Sequence, residues 1–154
     1  MNKDTLKLIA KAGLITGTLD GLSASIQYVI VTGNNPILVF QYISSAVFGQ
    51  EAFSSAGMYG PLGIVFHYII ATGWSTLFIM AYPRVSLLRR NVAITAVIYG
   101  IFVWCMMNLV IVPMTRIPAR PFNITSAAIA AGILVVAIGL PLAIIGKKSL
   151  QGKQ

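Results

Sequence analysis

The 154-residue chain is 57% hydrophobic and only 9% charged, whereas a soluble domain carries about 25% charged residues. With so few ionisable groups the surface of the fold cannot be made polar, which excludes an ordinary soluble globular protein. The composition predicts a chain whose solvent is the lipid bilayer, and the length suits a single membrane domain over residues 1–154.

The net charge is strongly positive, at +8 from eleven Lys and Arg against three acidic residues. In a soluble protein this excess would suggest nucleic acid, but no basic stripe interleaves with exposed aromatic residues. The basic residues instead cluster beside the apolar stretches, where they orient a membrane protein and contact anionic headgroups. We therefore expect the lipid bilayer as a partner and no nucleic acid.

The first predicted element is an apolar stretch over residues 12–33, preceded by three lysines as in a secretory signal. The stretch is long enough to span a bilayer, contains Asp20 and Gln27, and lacks a small-residue cleavage site before Asn34. These features favour a retained first transmembrane helix over a cleaved signal.

The segment 36–53, PILVFQYISSAVFGQEAF, is too apolar for a solvated loop and too short for a span. It predicts an interfacial or re-entrant helix with its aromatic residues at headgroup depth. Two interpretations stay open, a lid that covers one end of the bundle and a docking surface for a partner. Aromatic side chains that face inward would indicate the lid.

Three further stretches reach the roughly 20 residues that a span requires, namely 58–82, 92–113 and 124–146. Pro83 and Pro113 predict the ends of the second and third spans, because proline and its preceding residue disfavour helix continuation. Asn123 predicts an N-cap for the fourth span, and Gly146 predicts its end. The Gly-Leu-Pro run that ends at Pro141 predicts a kinked or loosened fourth helix. The predicted fold class is all-α, a polytopic bundle of four transmembrane helices plus the additional helix at 36–53.

The distribution of basic residues predicts the orientation. One side of the membrane receives nine of them: Lys3, Lys7, Lys11, Arg84, Arg89, Arg90, Lys147, Lys148 and Lys153. The other side receives only Arg116 and Arg120. By the positive-inside rule, both termini and the loop 83–91 are cytoplasmic, and segments 34–57 and 114–123 face the opposite side.

Gly13, Gly17 and Gly21 are spaced by four residues, which produces a stripe without side chains along one face of the first helix. Such stripes allow the close helix approach that van der Waals packing in lipid requires. The stripe predicts packing within the chain or a homodimer, with a backbone-lined pathway as the alternative.

Asp20 is the strongest functional indication, because an aspartate at mid-helix costs about 2.5–3.5 kcal/mol on insertion scales. At 1.5 Å per residue it lies about 12 Å from the inner boundary. The single histidine, His67, lies about 16 Å from the same boundary on the second span, so adjacent antiparallel helices would bring the two groups together. Gln27 and Asn108 form a second predicted polar layer, at about 22 and 24 Å.

Three interpretations of this predicted polar core remain open. Asp20 and His67 form an interhelical pair that fixes helix register, or they form a proton- or ion-linked site. In the third, His67 is a ligand or haem histidine, for which methionine is the only second axial candidate.

Enzyme motifs are absent, including HExxH, GxSxG, the P-loop and GxGxxG, and Asp20 with His67 and a nearby serine makes a poor nucleophilic triad in such apolar spans. The single cysteine, Cys105, lies inside an apolar run and is expected to be a small buried residue. We expect no enzymatic activity, no metal and no cofactor.

The run from His67 to Pro118, HYIIATGWSTLFIMAYPRVSLLRRNVAITAVIYGIFVWCMMNLVIVPMTRIP, resembles the YagU-like family of small bacterial inner-membrane proteins. The resemblance lies in a histidine entering an apolar helix, a Tyr-Pro-Arg exit, a basic turn, a Tyr-Gly then Val-Trp helix, and a Val-Pro exit. It covers the middle third of the chain and departs from the family in the first helix, at Asp20 and Gln27. It implies a bacterial inner membrane and a helical bundle, with no established activity to transfer.

Two functional hypotheses follow from the sequence. The first is a non-enzymatic structural or accessory bundle with a polar Asp20 and His67 core, which packs with itself or with a larger membrane complex. The second is a small proton- or ion-linked transporter or channel-like protein that uses the same two residues.

Overall fold

The computed structural model of the protein describes residues 3–117 and 123–150. Within these residues all regular elements are helical, and four helices are long and apolar enough to cross a membrane. A shorter helix lies between the first and second of them. The predicted all-α bundle of four spans with one additional helix is therefore confirmed. Arg120 and Lys153, which entered the orientation argument, lie outside the described residues.

Six α-helices follow one another in the part of the chain that the structure describes: α1 Lys3–Thr32, α2 Ile37–Phe48, α3 Ala56–Ala81, α4 Val92–Cys105, α5 Ile124–Leu134 and α6 Leu140–Leu150. Two π-helical segments continue them, the first π segment (Met106–Ile111) after α4 and the second π segment (Val135–Gly139) between α5 and α6. Short 3₁₀ turns occupy Gly49–Phe53, Ser86–Arg89 and Val112–Met114. The third and fourth spans, Val92–Met114 and Ile124–Ser149, therefore each contain a π segment.

The start of α1 differs from the prediction, because the helix begins at Lys3 rather than near residue 12. The basic N-terminal segment is helical since it also has an apolar face. Ile9 and Ala12 on that face are buried in the core, while Lys7 and Lys11 on the opposite face are exposed. Packing of this face stabilises turns that hydropathy alone assigned to a charged tail.

The predicted end at Gly146 is also wrong, since α6 continues to Leu150. Gly146 packs against the Tyr82 ring, where a Cβ would stand 2.5 Å from the ring carbon Cε2. The glycine therefore permits close packing and does not end the helix. Asn123 does cap α5, because its side chain accepts a hydrogen bond from the Ser126 amide at 2.9 Å.

The spans are arranged as two helix pairs. In the first pair α1 packs along α3, and in the second pair α4 packs along α5, the second π segment and α6. Helix α2 lies against the first turns of α3. We call the end of the bundle that carries α2 the α2 end, and the end that carries Lys3 and Ser149 the terminal end. The Tyr99 hydroxyl joins the pairs by donating to the Trp74 carbonyl at 2.6 Å.

Aromatic and aliphatic side chains fill the bundle toward the terminal end. Phe78 is completely buried between two tyrosines, with its ring centroid 4.9 Å from that of Tyr99 and 5.5 Å from that of Tyr82. Ile9 and Leu142 close the cluster from α1 and α6. The two helix pairs are therefore in firm contact in this half.

The outward faces of the spans are apolar. Leu14, Ile69 and Val136 are 61%, 62% and 63% exposed, on three different spans. In water such surfaces would be costly, whereas acyl chains solvate them. This distribution agrees with a membrane protein.

Candidate functional site

A cavity of about 310 Å³ separates the two helix pairs toward the α2 end. Its walls come from α1, α2, α3, α4 with the first π segment and the turn after it, and α5 with the second π segment, and they are mostly aliphatic. The four polar residues that the sequence singled out all line it, namely Asp20 and Gln27 on α1, His67 on α3 and Asn108 on the first π segment. The structure thus brings together residues up to 88 positions apart in the sequence, from Asp20 to Asn108.

The His67 ring is almost completely buried, at 8% exposure, and is held by α1. Its Nε2 lies 2.8 Å from the Gly17 carbonyl oxygen. Because a carbonyl only accepts, Nε2 carries the hydrogen and Nδ1 of the neutral ring is an acceptor. The rings of Phe40 and Tyr68 pack against the imidazole in edge-to-face geometry, at centroid distances of 6.0 Å and 5.8 Å, which restrains it.

The glycine stripe of α1 faces α3, and this explains how the imidazole reaches the backbone. A Cβ at Gly13 would overlap Thr72, a Cβ at Gly17 would lie 2.8 Å from the Tyr68 ring, and a Cβ at Gly21 would lie 3.0 Å from His67 Nε2. The stripe therefore allows close contact within the first helix pair.

Asp20 lies three residues after Gly17, in the same stretch of α1 that accepts the His67 hydrogen bond. Its carboxylate and the His67 ring line the same cavity and interact electrostatically. The hydrogen bond of the imidazole nevertheless goes to the backbone of α1, so the contact between the two helices does not depend on the carboxylate.

The two amide residues of the predicted second polar layer differ in their surroundings. Gln27 is half-buried, whereas Asn108 is exposed. Asn108 Nδ2 donates to the Trp104 carbonyl at 2.9 Å, four residues earlier, so a donor of this amide is bound to its own helix. The Asn108 oxygen then remains as an acceptor at the cavity wall.

The two π segments were not predicted, and both contribute to the cavity, with Asn108 and Ile111 from the first and Ile138 from the second. In each segment the last bond spans five residues, from the Val112 amide to Met107 and from the Leu140 amide to Val135.

The sequence carries a signal for both widened turns. In each case proline follows the π segment after one intervening residue, at Pro113 and Pro141. Proline lacks the amide hydrogen, and its ring clashes with the carbonyl four residues before it, so the preceding turn widens. The loosening predicted near Pro141 therefore takes the form of a π turn.

Helix α2 covers the cavity, to which it contributes Tyr42, Ile43 and Ala46. Its polar side chains are buried against the chain that follows: Gln41 donates to the Ala52 carbonyl at 2.8 Å, and Ser44 donates to the Tyr59 carbonyl at 2.6 Å. These contacts favour the lid interpretation of segment 36–53.

The second helix pair also reaches the lid. The Arg116 backbone amide donates to the Ala46 carbonyl at 3.2 Å, and the Arg116 guanidinium donates from Nη1 to the Val47 carbonyl at 3.5 Å. Both carbonyls lie near the C-terminus of α2, where a cation is favourable. Arg116 thereby joins α2 to the chain that leaves the first π segment.

Sequence reasoning missed the aromatic part of the site. The two tryptophans of the chain, Trp74 and Trp104, line the cavity together with Tyr42. Their positions inside apolar spans made them indistinguishable from lipid-facing or core residues. Trp74 is fixed by an edge contact with Phe102, at a centroid distance of 6.0 Å and an interplanar angle of 90°.

No protein-family model, no curated protein and no solved structure matches the chain. The resemblance of residues 67–118 to the YagU-like family therefore stays an expectation.

Proposed function

We propose that this protein is a non-enzymatic accessory protein of the membrane that holds a small molecule in the cavity between its helix pairs. The observation that supports this proposal is the cavity itself, about 310 Å³, with mostly apolar walls and a few polar side chains, among them Asp20 and His67. Ligand sites in proteins have this character, being largely apolar with a few polar groups that fix orientation, and this volume lies at the small end of their range.

Close packing elsewhere in the bundle supports the proposal. A Cβ at Gly63 would overlap the Phe40 backbone, and a Cβ at Gly139 would overlap the Ala96 backbone. The chain therefore uses glycine to bring helices into backbone contact where it packs them. A bundle that served only as a scaffold would gain from bringing the helix pairs into contact here as well, because close side-chain packing stabilises it.

The cellular setting belongs to the same proposal. The excess of basic residues at the terminal end and in the loop before α4 supports an inner membrane with both termini in the cytoplasm. The lipid bilayer is then the principal partner, with a homo-oligomer or a larger membrane complex as further partners.

Proton- or ion-linked transport is the second candidate, and the observation that favours it is the joint presence of Asp20 and His67 at one cavity wall. Passage to the terminal end would require Phe78 and Tyr99 to move, since they fill that half of the bundle. Loss of pH-linked flux in Asp20→Asn proteoliposomes, with unchanged binding of a neutral ligand, would select transport.

Filling the cavity tests the proposed function. Ala130 lines the cavity from α5, so we expect Ala130→Leu to lower the affinity for butylbenzene about tenfold or more, because the added methylenes occupy the ligand volume. The matched control is Ala128→Leu, since Ala128 is exposed on the same helix and does not line the cavity. Binding is followed in nanodiscs by the fluorescence of the two tryptophans. Equal affinities in both variants and the wild type, or no binding by the wild type, would contradict the proposal.

A further inference from the structure

The described lining of the cavity contains an acidic residue but no lysine or arginine to balance it. Of the three acidic residues in the chain, only Asp20 lines it. Among the described lining residues there is no lysine or arginine, although the chain holds eleven such residues. Among the described residues, His67 is the ionisable group that interacts electrostatically with the Asp20 carboxylate. A carboxylate inside the hydrocarbon region is costly unless it meets a counter-charge or takes up a proton.

Two of the polar side chains that line the cavity, His67 and Asn108, each present a hydrogen-bond acceptor. His67 donates from Nε2 to the Gly17 carbonyl, which makes Nδ1 of the neutral ring an acceptor. Asn108 donates from Nδ2 to the Trp104 carbonyl, which leaves its oxygen as an acceptor. A ligand with hydrogen-bond donors would satisfy these two acceptors, and a positive charge would also complement Asp20.

The aromatic residues favour the same ligand class. Trp74, Trp104 and Tyr42 line the cavity from three different elements. The face of an indole ring attracts cations, most strongly when the pair is shielded from water. The remaining aliphatic walls, among them Ile43 and Ile70, suit an apolar body and not a second charged group.

Building on the proposed function, we propose that the cavity ligand is a small amphiphilic organic ammonium ion. Its ammonium group binds Asp20, and its apolar body packs between Trp74 and Trp104. An anionic ligand would meet the carboxylate without a neighbouring lysine or arginine in the described lining, and a neutral hydrocarbon would leave Asp20 with His67 as its one ionisable neighbour among the described lining residues. The same argument favours a free amine over an ethanolamine lipid headgroup, whose phosphate would meet no lysine or arginine among the described residues that line the cavity.

Two probes of matched shape test this inference. Phenylpropylammonium and butylbenzene have the same skeleton and differ in a terminal ammonium or methyl group. We expect the wild type, in phosphatidylcholine nanodiscs, to bind the ammonium ion about tenfold to a hundredfold more tightly, the range that a hydrogen bond to a charged group supplies. In Asp20→Asn this preference disappears, while binding of butylbenzene stays within about threefold of the wild type.

The outcomes separate this inference from the proposed function. Binding of butylbenzene with no preference for the ammonium ion would overturn the inference and leave the binding function standing. Binding of neither probe by the wild type would overturn both. A loss of both probes in Asp20→Asn would show that the carboxylate shapes the cavity and does not bind the charge, which also overturns the inference. Titrations in nanodiscs that contain phosphatidylethanolamine identify the source of the ammonium group. If the lipid headgroup is the ligand, it competes with phenylpropylammonium and lowers the apparent affinity of the probe. If the ligand is a free amine, the affinity of the probe stays the same as in phosphatidylcholine.

Discussion

Gly63→Ala is expected to lower the free energy of unfolding by about 1–3 kcal/mol, the usual cost of overpacking. The Cβ would overlap the carbonyl of Phe40, and a backbone atom in a helix cannot turn aside as a flexible side chain can. Helix α2 would have to move away from α3. The hydrogen bond from Ser44 to the Tyr59 carbonyl would lengthen with it. Circular dichroism during thermal unfolding in detergent micelles measures the change, at about 2–4 °C per kcal/mol for a chain of this size.

The matched control lies on the same helix. Gly73 has no atom within 4 Å of the position that its Cβ would take. Gly73→Ala is therefore expected to leave the melting temperature unchanged or to raise it, because alanine favours helix over glycine by up to about 1 kcal/mol. If both variants unfolded at the same temperature, α2 and α3 would not be in backbone contact.

Gly139→Ala is expected to destabilise the second helix pair by a similar amount, about 1–3 kcal/mol. Gly139 ends the second π segment, and its Cβ would overlap the carbonyl of Ala96 on α4. Because Ile138, its neighbour in the chain, lines the cavity, a shift of this segment would also change the affinity for butylbenzene. Thermal unfolding and the fluorescence titration measure the two effects on the same sample.

Gly132→Ala is the control for this change, since its Cβ would meet nothing within 4 Å on α5 of the same span. We expect unchanged stability and unchanged ligand binding. A destabilised Gly132→Ala, or a fully stable Gly139→Ala, would contradict the packing of the second π segment on α4.

The number of spans was predictable because membrane helices need a fixed apolar length, which the sequence shows directly. The helix ends were less predictable. Hydropathy placed Lys3 to Lys11 outside the first helix, although the helix includes them because Ile9 is buried in the core. Gly146 was predicted to end the fourth span, but it packs against Tyr82 within the helix. Glycine suits both a helix end and a close contact between helices, and the position of the neighbouring helix determines which of the two roles it has.

The depth of the site residues in the membrane was predictable from the sequence, whereas the contacts between them were not. Rise per residue placed Asp20 and His67 at similar levels, and both line the cavity in the structure. The bond from His67 to the Gly17 carbonyl was not predictable, because it depends on how closely the glycine stripe lets α3 approach. The rotation of each helix about its axis likewise decides whether Trp104 faces the cavity or the lipid. The hydrophobic periodicity of an apolar span does not indicate this rotation, since both faces of the helix are apolar.

Anomalous diffraction from crystals grown with a brominated phenylpropylammonium tests the central claim, a ligand cavity between the helix pairs, most directly. We expect one bromine peak between Trp74 and Trp104 in the wild type, with the ammonium group beside Asp20, and a much weaker peak in Asp20→Asn. Bromine peaks only on the lipid-facing surfaces, with protein side chains filling the space between the pairs, would contradict the claim.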